Sequence, residues 1–338
     1  MTDISQRPRV AVITGASAGV GRAVAQEFAA HGWHLGLVAR GRAGLEGARA
    51  DVEARGGAAL VLQADVADAA ALEDAAQAVV DRWGRIDLWI NVAMATVLAP
   101  VSEVTPDEFR RVTEVTYLGQ VFGTQAALRR MRAQGHGTIV SIGSALAYRG
   151  IPLQAPYCAA KFATRGFFDS LRTELLHENS PVRVTEIHLP AVNTPQFDWA
   201  RNKMPRKAQP VPPIHSPEAI ARQVYRAALA APREVWLAGS AVKAILGDAA
   251  APVVVDRILA RQGYSDQQAD EAATARSDNL FAPMDETRDY GAAGRFGDEA
   301  RPHVSAYHPA RLRAGAVAVA CAVAFGILHR LRDRGMRS

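Results

Sequence analysis

The stretch VAVITGASAGVG, residues 10–21, decides the fold of this chain. A short apolar run, Val10–Thr14, passes directly into a turn with three glycines, and a helical pattern follows. Glycines let a backbone turn tightly and approach a pyrophosphate, whose charge then meets amide N–H groups at the positive end of the helix. The motif therefore predicts a dinucleotide site rather than a purely structural turn. Its predicted cofactor contacts are Gly15, Ser17, Ala18, Gly19, Val20 and Gly21.

Beyond this turn, short runs rich in Val, Ile and Leu alternate with helical patterns. The predicted strands are Val10–Thr14, Leu35–Ala39, Ala59–Gln63, Leu88–Asn91, Thr138–Ile142, Val182–Leu189 and Glu234–Ala238. The predicted helices are Val20–His31, Gly44–Arg55, Ala69–Trp83, Pro106–Arg132, Pro156–Glu178 and Ser216–Ala230. Continuous apolar strands joined by helices are typical of a sheet covered on both faces. We predict an α/β fold, a single doubly wound (Rossmann) domain with a seven-stranded parallel sheet.

Composition and charge exclude several other classes of protein. The 338 residues are 49% hydrophobic and 22% charged, as in an ordinary globular protein. The net charge of +5 is concentrated at the end of the chain, because from Arg301 onward seven arginines face one acid. A nucleic-acid reader would instead spread a basic patch over its folded face, so no nucleic-acid partner is expected. Two cysteines, Cys158 and Cys321, fit a reducing cytoplasmic location. No residues have metal-site spacing.

The second predicted strand bears on the choice of dinucleotide. A site for NAD would carry an acid about 20 residues after the glycine turn, to hold the ribose 2′-hydroxyl. This strand ends instead in Val38-Ala39-Arg40-Gly41-Arg42. The guanidiniums of Arg40 and Arg42 favour a 2′-phosphate and hence NADP(H), with two solvated surface arginines as the alternative.

Three further residues complete a pattern. Tyr157 and Lys161 are four residues apart, on one face of a helix, and Ser144 follows the fifth strand. A Lys161 ammonium about 4 Å from the phenol would lower the tyrosine pKa from about 10 to near 7. In order and spacing, the glycine turn, Ser144, Tyr157 and Lys161 strongly resemble the short-chain dehydrogenase/reductase family, as a bacterial-type member with a C-terminal extension. The resemblance covers Arg9 to about Ala238.

The resemblance implies an NADP(H)-dependent oxidoreductase that reduces a carbonyl or oxidises a secondary alcohol by hydride transfer. Tyr157 would be the acid/base, Ser144 would bind the substrate oxygen, and Lys161 would also hold the nicotinamide ribose. Asp65 and Val66 would flank the adenine, Asn91 would stabilise the sheet beside the cofactor, and Thr194 would bond the carboxamide. Pro190 and Val192 are further cofactor contacts by resemblance.

The chain also departs from the family pattern. Thr116 stands where most members have an Asn in the proton relay, and Met94 and Ala191 replace usual glycines. We therefore include Thr116 among the catalytic residues and leave open a dinucleotide-binding sensor or scaffold with weak catalysis.

The organisation predicted for the whole chain has three parts. Residues 1–240 form the dinucleotide-binding domain with its catalytic site and an apolar substrate segment, 195–215. Residues 241–310 form a helical and irregular extension, with one or two helices over Ala241–Gln262 and a stretch, Asp266–Pro309, that wraps the surface or is disordered. Residues 311–338 form a basic and apolar tail helix, in which Ala314–Leu328 either docks on protein or anchors the enzyme to a membrane.

A small, apolar carbonyl or alcohol is the expected substrate. The family resemblance implies a homo-oligomer, formed through the long helices Pro106–Arg132 and Pro156–Glu178.

Overall fold

The computed structural model describes residues 8–310 of the chain. Its strands are β1 (Val10–Thr14), β2 (His34–Ala39), β3 (Ala59–Gln63), β4 (Leu88–Asn91), β5 (Val97–Leu98), β6 (Gly137–Ser144), β7 (Val182–Leu189), β8 (Arg201–Asn202), β9 (Arg206–Ala208), β10 (Glu234–Leu237), β11 (Gln268–Ala272) and β12 (Ala306–Tyr307). Its α-helices are α1 (Gly19–Ala29), α2 (Arg42–Glu53), α3 (Ala69–Trp83), α4 (Pro106–Thr113), α5 (Gly119–Gln134), α6 (Ala155–His177), α7 (Gln196–Trp199), α8 (Pro217–Ala230), α9 (Gly239–Ala250) and α10 (Pro252–Gln262).

The central sheet confirms the predicted doubly wound α/β fold. Its strand order is β12-β10-β7-β6-β4-β1-β2-β3, and the seven predicted strands all pair in parallel. An eighth strand, β12, pairs antiparallel with β10 at the edge, where Tyr307 lies opposite Trp236. This strand has only two residues and no apolar run, so it could not be predicted from the apolar pattern. The strand order reverses between β1 and β4, and in open α/β sheets ligands bind at the carboxyl ends of strands at such a point.

Burial on both faces explains why the strands show no alternation. All five residues of β1 are buried. Ile13 packs in a core with α1 and α8, whereas Val12 packs in a second core on the opposite face with Trp89. Each side chain of the central strands therefore meets an apolar layer, as expected for a parallel sheet between helices.

The predicted helix Pro106–Arg132 is instead two α-helices joined by a single π-helical turn, Glu114–Leu118. A capping box at Thr105 and Glu108 starts α4. The π-helical turn adds one residue to the helical repeat, which rotates the following side chains about the helix axis. Thr116 lies in this turn and is fully buried.

The extension after β10 is ordered and lies over the sheet. The region 241–262 forms α9 and α10, and β11 pairs with β9. Residues 279–296, which we call the strap, run across the carboxyl edge of the sheet from the end of β2 to the end of β7. The strap makes backbone hydrogen bonds from Gly44 N–H to Asp285, from Gly19 N–H to Gly291 and from Gly294 N–H to Asn193. This region therefore wraps the surface.

The predicted tail helix and its segment Ala314–Leu328 lie outside the described residues. Within residues 8–310, no helix has the length and apolar character needed to cross a bilayer.

Candidate active site

A cavity of about 460 Å³ lies at the carboxyl edge of the sheet, beside the point where the strand order reverses. This volume is in the range of small-molecule and cofactor sites. Most of the residues predicted for the site line it, namely Gly15, Ser17, Ala18, Gly19, Val20, Gly21, Arg40, Asp65, Val66, Ser144, Tyr157, Lys161, Pro190, Val192 and Thr194. Two do not line it, Asn91 and Thr116.

The glycine turn fits the pyrophosphate of a dinucleotide. Gly15 and Gly19 have φ angles of 68° and 58°, which favour glycine, and a side chain on Gly21 would collide with the carbonyl of Gly15. Helix α1 starts after Ala18 without a side-chain cap, so no side chain competes for the amide N–H groups of its first turn. The turn is therefore narrow and has no side-chain cap, as an anion site at a helix N-terminus requires, although the N–H of Gly19 bonds to the Gly291 carbonyl of the strap at 3.1 Å.

Ser144, Tyr157 and Lys161 converge on the same cavity from two elements. Ser144 is the last residue of β6, and its Oγ accepts a hydrogen bond from the N–H of Leu146 at 3.1 Å. Tyr157 and Lys161 lie one turn apart on α6, and the Tyr157 hydroxyl bonds to Ser144. The Lys161 Nζ donates to the carbonyl of Ile142 at 2.7 Å and lies 5.6 Å from the centre of the Tyr157 ring.

The electrostatics of this group differ from the sequence prediction. Burial raises the pKa of Tyr157, and the hydrogen bond with Ser144 only partly opposes this effect. Burial also lowers the pKa of Lys161 to about 7. The predicted acidification of the phenol by Lys161 is therefore absent in this structure, since the amine is directed at the Ile142 carbonyl. Tyr157 is a neutral phenol at pH 7 and can donate a proton.

The buried amine of Lys161 makes stability depend on pH in a testable way. Its pKa of about 7 lies below the value of 10.5 for an unfolded chain, so the unfolded state binds more protons between these limits. The free energy of unfolding should consequently rise with pH from about 7 toward 10. Urea unfolding should show wild type gaining about 2 kcal/mol relative to Lys161→Met between pH 7 and 9. Lys243→Met, at an exposed position of α9, is the control and should leave the slope unchanged. If the unfolding free energies of wild type and Lys161→Met changed equally with pH, the lowered pKa of Lys161 would be contradicted.

Asn91 and Thr116 support the site from outside the cavity. Asn91 accepts a hydrogen bond from the Trp89 indole at 2.9 Å and donates to Thr124 at 3.1 Å, so it ties β4 to α5. Thr116 Oγ1 accepts from the N–H of Ala95 and donates to the carbonyl of the same residue, both at 2.9 Å. Its one proton is thus bonded to the loop after β4, and a part for Thr116 in a proton relay stays a prediction.

Removal of the Thr116 hydroxyl should therefore affect stability. Thr116→Val keeps the shape but leaves the buried N–H and carbonyl of Ala95 without these partners, so we expect a loss of about 2 kcal/mol in unfolding free energy. Thr113→Val, a half-buried position on α4 whose hydroxyl bonds to the Phe109 carbonyl near the surface, should cost less than about 0.5 kcal/mol. Equal unfolding midpoints for the two variants in denaturant would show that the Ala95 contacts contribute nothing.

The two arginines predicted to bind a 2′-phosphate are engaged elsewhere. The Arg40 guanidinium donates to the carbonyls of Leu280 and Phe281, at 3.4 and 3.2 Å, and to that of Asn279. Arg42 lies largely exposed on α2 and pairs with Glu46 at 3.5 Å. The NADP(H) preference remains a prediction, although Arg40 does line the cavity.

Several residues that line the cavity were not predicted from the sequence. They belong to the extension, where no apolar periodicity indicated that they would be part of a site. These are Ala241, Ala244, Leu259, Gly263, Asp266, Gln267, Asn279, Pro283, Met284 and Asp285. The predicted substrate segment also contributes Phe197, Trp199 and the stretch Pro210–Pro212. Tyr148, which follows Ser144 by four residues, does not line the cavity and donates its hydroxyl to Glu234.

Comparisons with known proteins agree with this geometry. The family profile for short chain dehydrogenases matches residues 9–205. The chain belongs to that family. It is 31% identical over 279 residues to the uncharacterized oxidoreductase YxnA of Bacillus subtilis (strain 168), covering 81% of this chain and 78% of YxnA.

Two solved structures are similar to this chain. An alcohol dehydrogenase from the archaeon Thermococcus sibiricus, complexed with 5-hydroxy-NADP, has a TM-score of 0.58 and 28% identity, covering 68% of this chain and 96% of its own. A levodione reductase has a TM-score of 0.53 and 34% identity, covering 56% of this chain and 73% of its own. The chain is thus an oxidoreductase of the short-chain dehydrogenase kind. Within residues 8–310, no cluster of His, Cys, Asp and Glu is arranged to hold a metal ion.

Proposed function

We propose that this short-chain dehydrogenase reduces a carbonyl, or oxidises the matching secondary alcohol, with Tyr157 as the acid/base. The observation that carries the proposal is the convergence of Ser144, Tyr157 and Lys161 on a cavity that also contains the glycine turn. A nicotinamide dinucleotide bound there would supply or accept the hydride. Gly15, Ser17, Gly19 and Thr194 line the place where it would be held.

The side chains of the chain supply the proton and position the oxygen. The neutral Tyr157 phenol donates its proton to the carbonyl oxygen of the substrate, as general-acid catalysis requires. The Ser144 hydroxyl, already bonded to the phenol, orients that oxygen. The pKa of the buried Lys161 amine is about 7. The amine lies close enough to the Tyr157 ring for its protonation to change when the phenol loses its proton.

The lining of the cavity favours an apolar substrate. Leu146, Phe197, Trp199, Val211 and Leu259 surround the end near Ser144 and the extension. Burial of an apolar group against such side chains stabilises binding by about 25 cal/mol per Å². We therefore expect ketones or aldehydes with hydrophobic substituents rather than charged ones.

The choice between dinucleotides depends on the end of β2. The two arginines of the sequence favour NADP(H), and the likeness to the Thermococcus sibiricus enzyme complexed with 5-hydroxy-NADP supports that reading. The contacts of Arg40 with the strap argue against NADP(H).

The exposed side chains of Phe109 on α4 and Phe162 on α6 support the expected homo-oligomer.

The test is consumption of NADPH and NADH by the full-length protein with a panel of ketones and aldehydes, with the alcohol product identified. Turnover of hydrophobic carbonyls by wild type but not by Tyr157→Phe is the expected result. Tight dinucleotide binding without any turnover would favour a sensor or scaffold instead.

The membrane-tethered form of the enzyme rests on the segment Ala314–Leu328. Membrane fractionation of the full chain, compared with that of a chain ending near residue 309, tests this form.

A further inference from the structure

The strap places one acidic side chain inside the cavity. Asp285 is 6% exposed, lines the cavity together with Arg40 and Ser17, and belongs to a stretch without apolar periodicity. Two backbone hydrogen bonds fix its position, from Gly44 N–H to the Asp285 carbonyl at 3.0 Å and from Ala43 N–H to the Glu286 carbonyl at 3.1 Å. The carboxylate is thus held against the loop that joins β2 to α2.

The loop is shaped to receive this carboxylate. A side chain at Gly41 or at Gly44 would collide with the Asp285 carboxyl group, so the two glycines leave the space that it occupies. The Oδ2 atom of Asp285 is buried and has no hydrogen-bond partner. A buried acceptor without a donor is costly, which indicates that a donor from outside the chain completes the site.

The position of the carboxylate identifies that donor. In a dinucleotide site of this fold, the end of β2 faces the ribose of the adenosine half, and a carboxylate there accepts a hydrogen bond from the 2′-hydroxyl. A 2′-phosphate at the same place would meet a like charge in a partly desolvated site. The guanidinium that would neutralise it, that of Arg40, is committed to three strap carbonyls.

We propose that Asp285 binds the adenosine ribose hydroxyl and makes NAD(H) the preferred cofactor of this enzyme. The inference rests on the proposed function, because it assumes that a nicotinamide dinucleotide binds on the glycine turn. It reverses the preference predicted from Arg40 and Arg42. The acid that the sequence lacks after β2 is supplied more than 240 residues later, by the strap.

Equilibrium binding of NADH and NADPH to the full-length protein without substrate, followed by nucleotide fluorescence, tests the assignment. Wild type should bind NADH more tightly. Asp285→Asn, which removes the charge and keeps the shape, should weaken NADH about tenfold and tighten NADPH, reversing the order. Glu286→Gln is the matched control, since its carboxylate is exposed and bonds to the Arg42 N–H and to Gln63 outside the cavity. It should leave both affinities within about twofold of wild type.

Each other outcome has a distinct meaning. Wild type that prefers NADPH would overturn the inference and leave the proposed function intact, with no variant needed. Equal changes in both affinities for Asp285→Asn would also overturn it, because Asp285 would then act only through the strap. Failure of wild type to bind either dinucleotide would instead defeat the proposed function. If Asp285→Asn does not fold, Asp285→Ser provides the same comparison.

Discussion

Tyr157→Phe is expected to lower turnover of a carbonyl substrate by about 10²–10⁴-fold. The variant lacks the one hydroxyl that can deliver a proton to the substrate oxygen beside Ser144, while the ring still fills its place on α6. Dinucleotide affinity should change by less than about threefold, because the turn at residues 15–21 is untouched. Single-turnover rates at saturating dinucleotide, with separate binding measurements, distinguish the two quantities.

The matched control for this variant is Tyr225→Phe. Tyr225 lies on α8, away from the cavity, where it stacks on His31 with ring centres 4.0 Å apart. Loss of its hydroxyl should leave turnover within about twofold of wild type. Retention of more than a tenth of the wild-type rate by Tyr157→Phe would contradict the role of the phenol and leave the proton to come from another group.

Local spacing explains why much of this site could be predicted. The strands β1, β3, β4 and β7 have the bounds expected from their apolar runs, and β1 and β4 are buried along their whole length. The glycine turn and the pair Tyr157 and Lys161 are set by backbone geometry within one turn of a helix. Their meeting with Ser144 follows once the parallel sheet is predicted.

Features that depend on distant contacts were not predictable in the same way. The direction of the Arg40 side chain is set by the backbone carbonyl groups of residues 279–281. Every residue has such a carbonyl group, so the sequence does not show which of them will accept these hydrogen bonds. Thr116 lies in the π-helical turn Glu114–Leu118 and its hydroxyl bonds to Ala95, a contact that local spacing does not indicate. The predicted pKa of Tyr157 failed for a related reason. The sequence gives the spacing of Lys161 from the phenol but neither the burial of the two groups nor the carbonyl that takes the amine.

Gly21→Ala should be the most damaging small substitution in the glycine turn. An added Cβ would run into the carbonyl group of Gly15, which is backbone and cannot rotate away. The turn must therefore shift, at a cost of about 3 kcal/mol in unfolding free energy. The displaced amide groups would lose about two hydrogen bonds to a charged pyrophosphate, so dinucleotide affinity should fall roughly a hundredfold. Calorimetric unfolding and nucleotide titration measure the two effects separately.

The contrast with Gly166→Ala makes this prediction specific to the turn. Gly166 lies within α6, and a Cβ there would meet no atom within 4 Å, so the exchange should raise the unfolding free energy by about 0.5–1 kcal/mol. Its dinucleotide affinity should equal that of wild type. Because both variants add a single methyl group at a helical glycine, any difference between them comes from what that methyl meets. If Gly21→Ala bound dinucleotide as tightly as Gly166→Ala, the pyrophosphate would have to lie away from the close approach of residues 15 and 21. The proposed position of the cofactor would then be wrong.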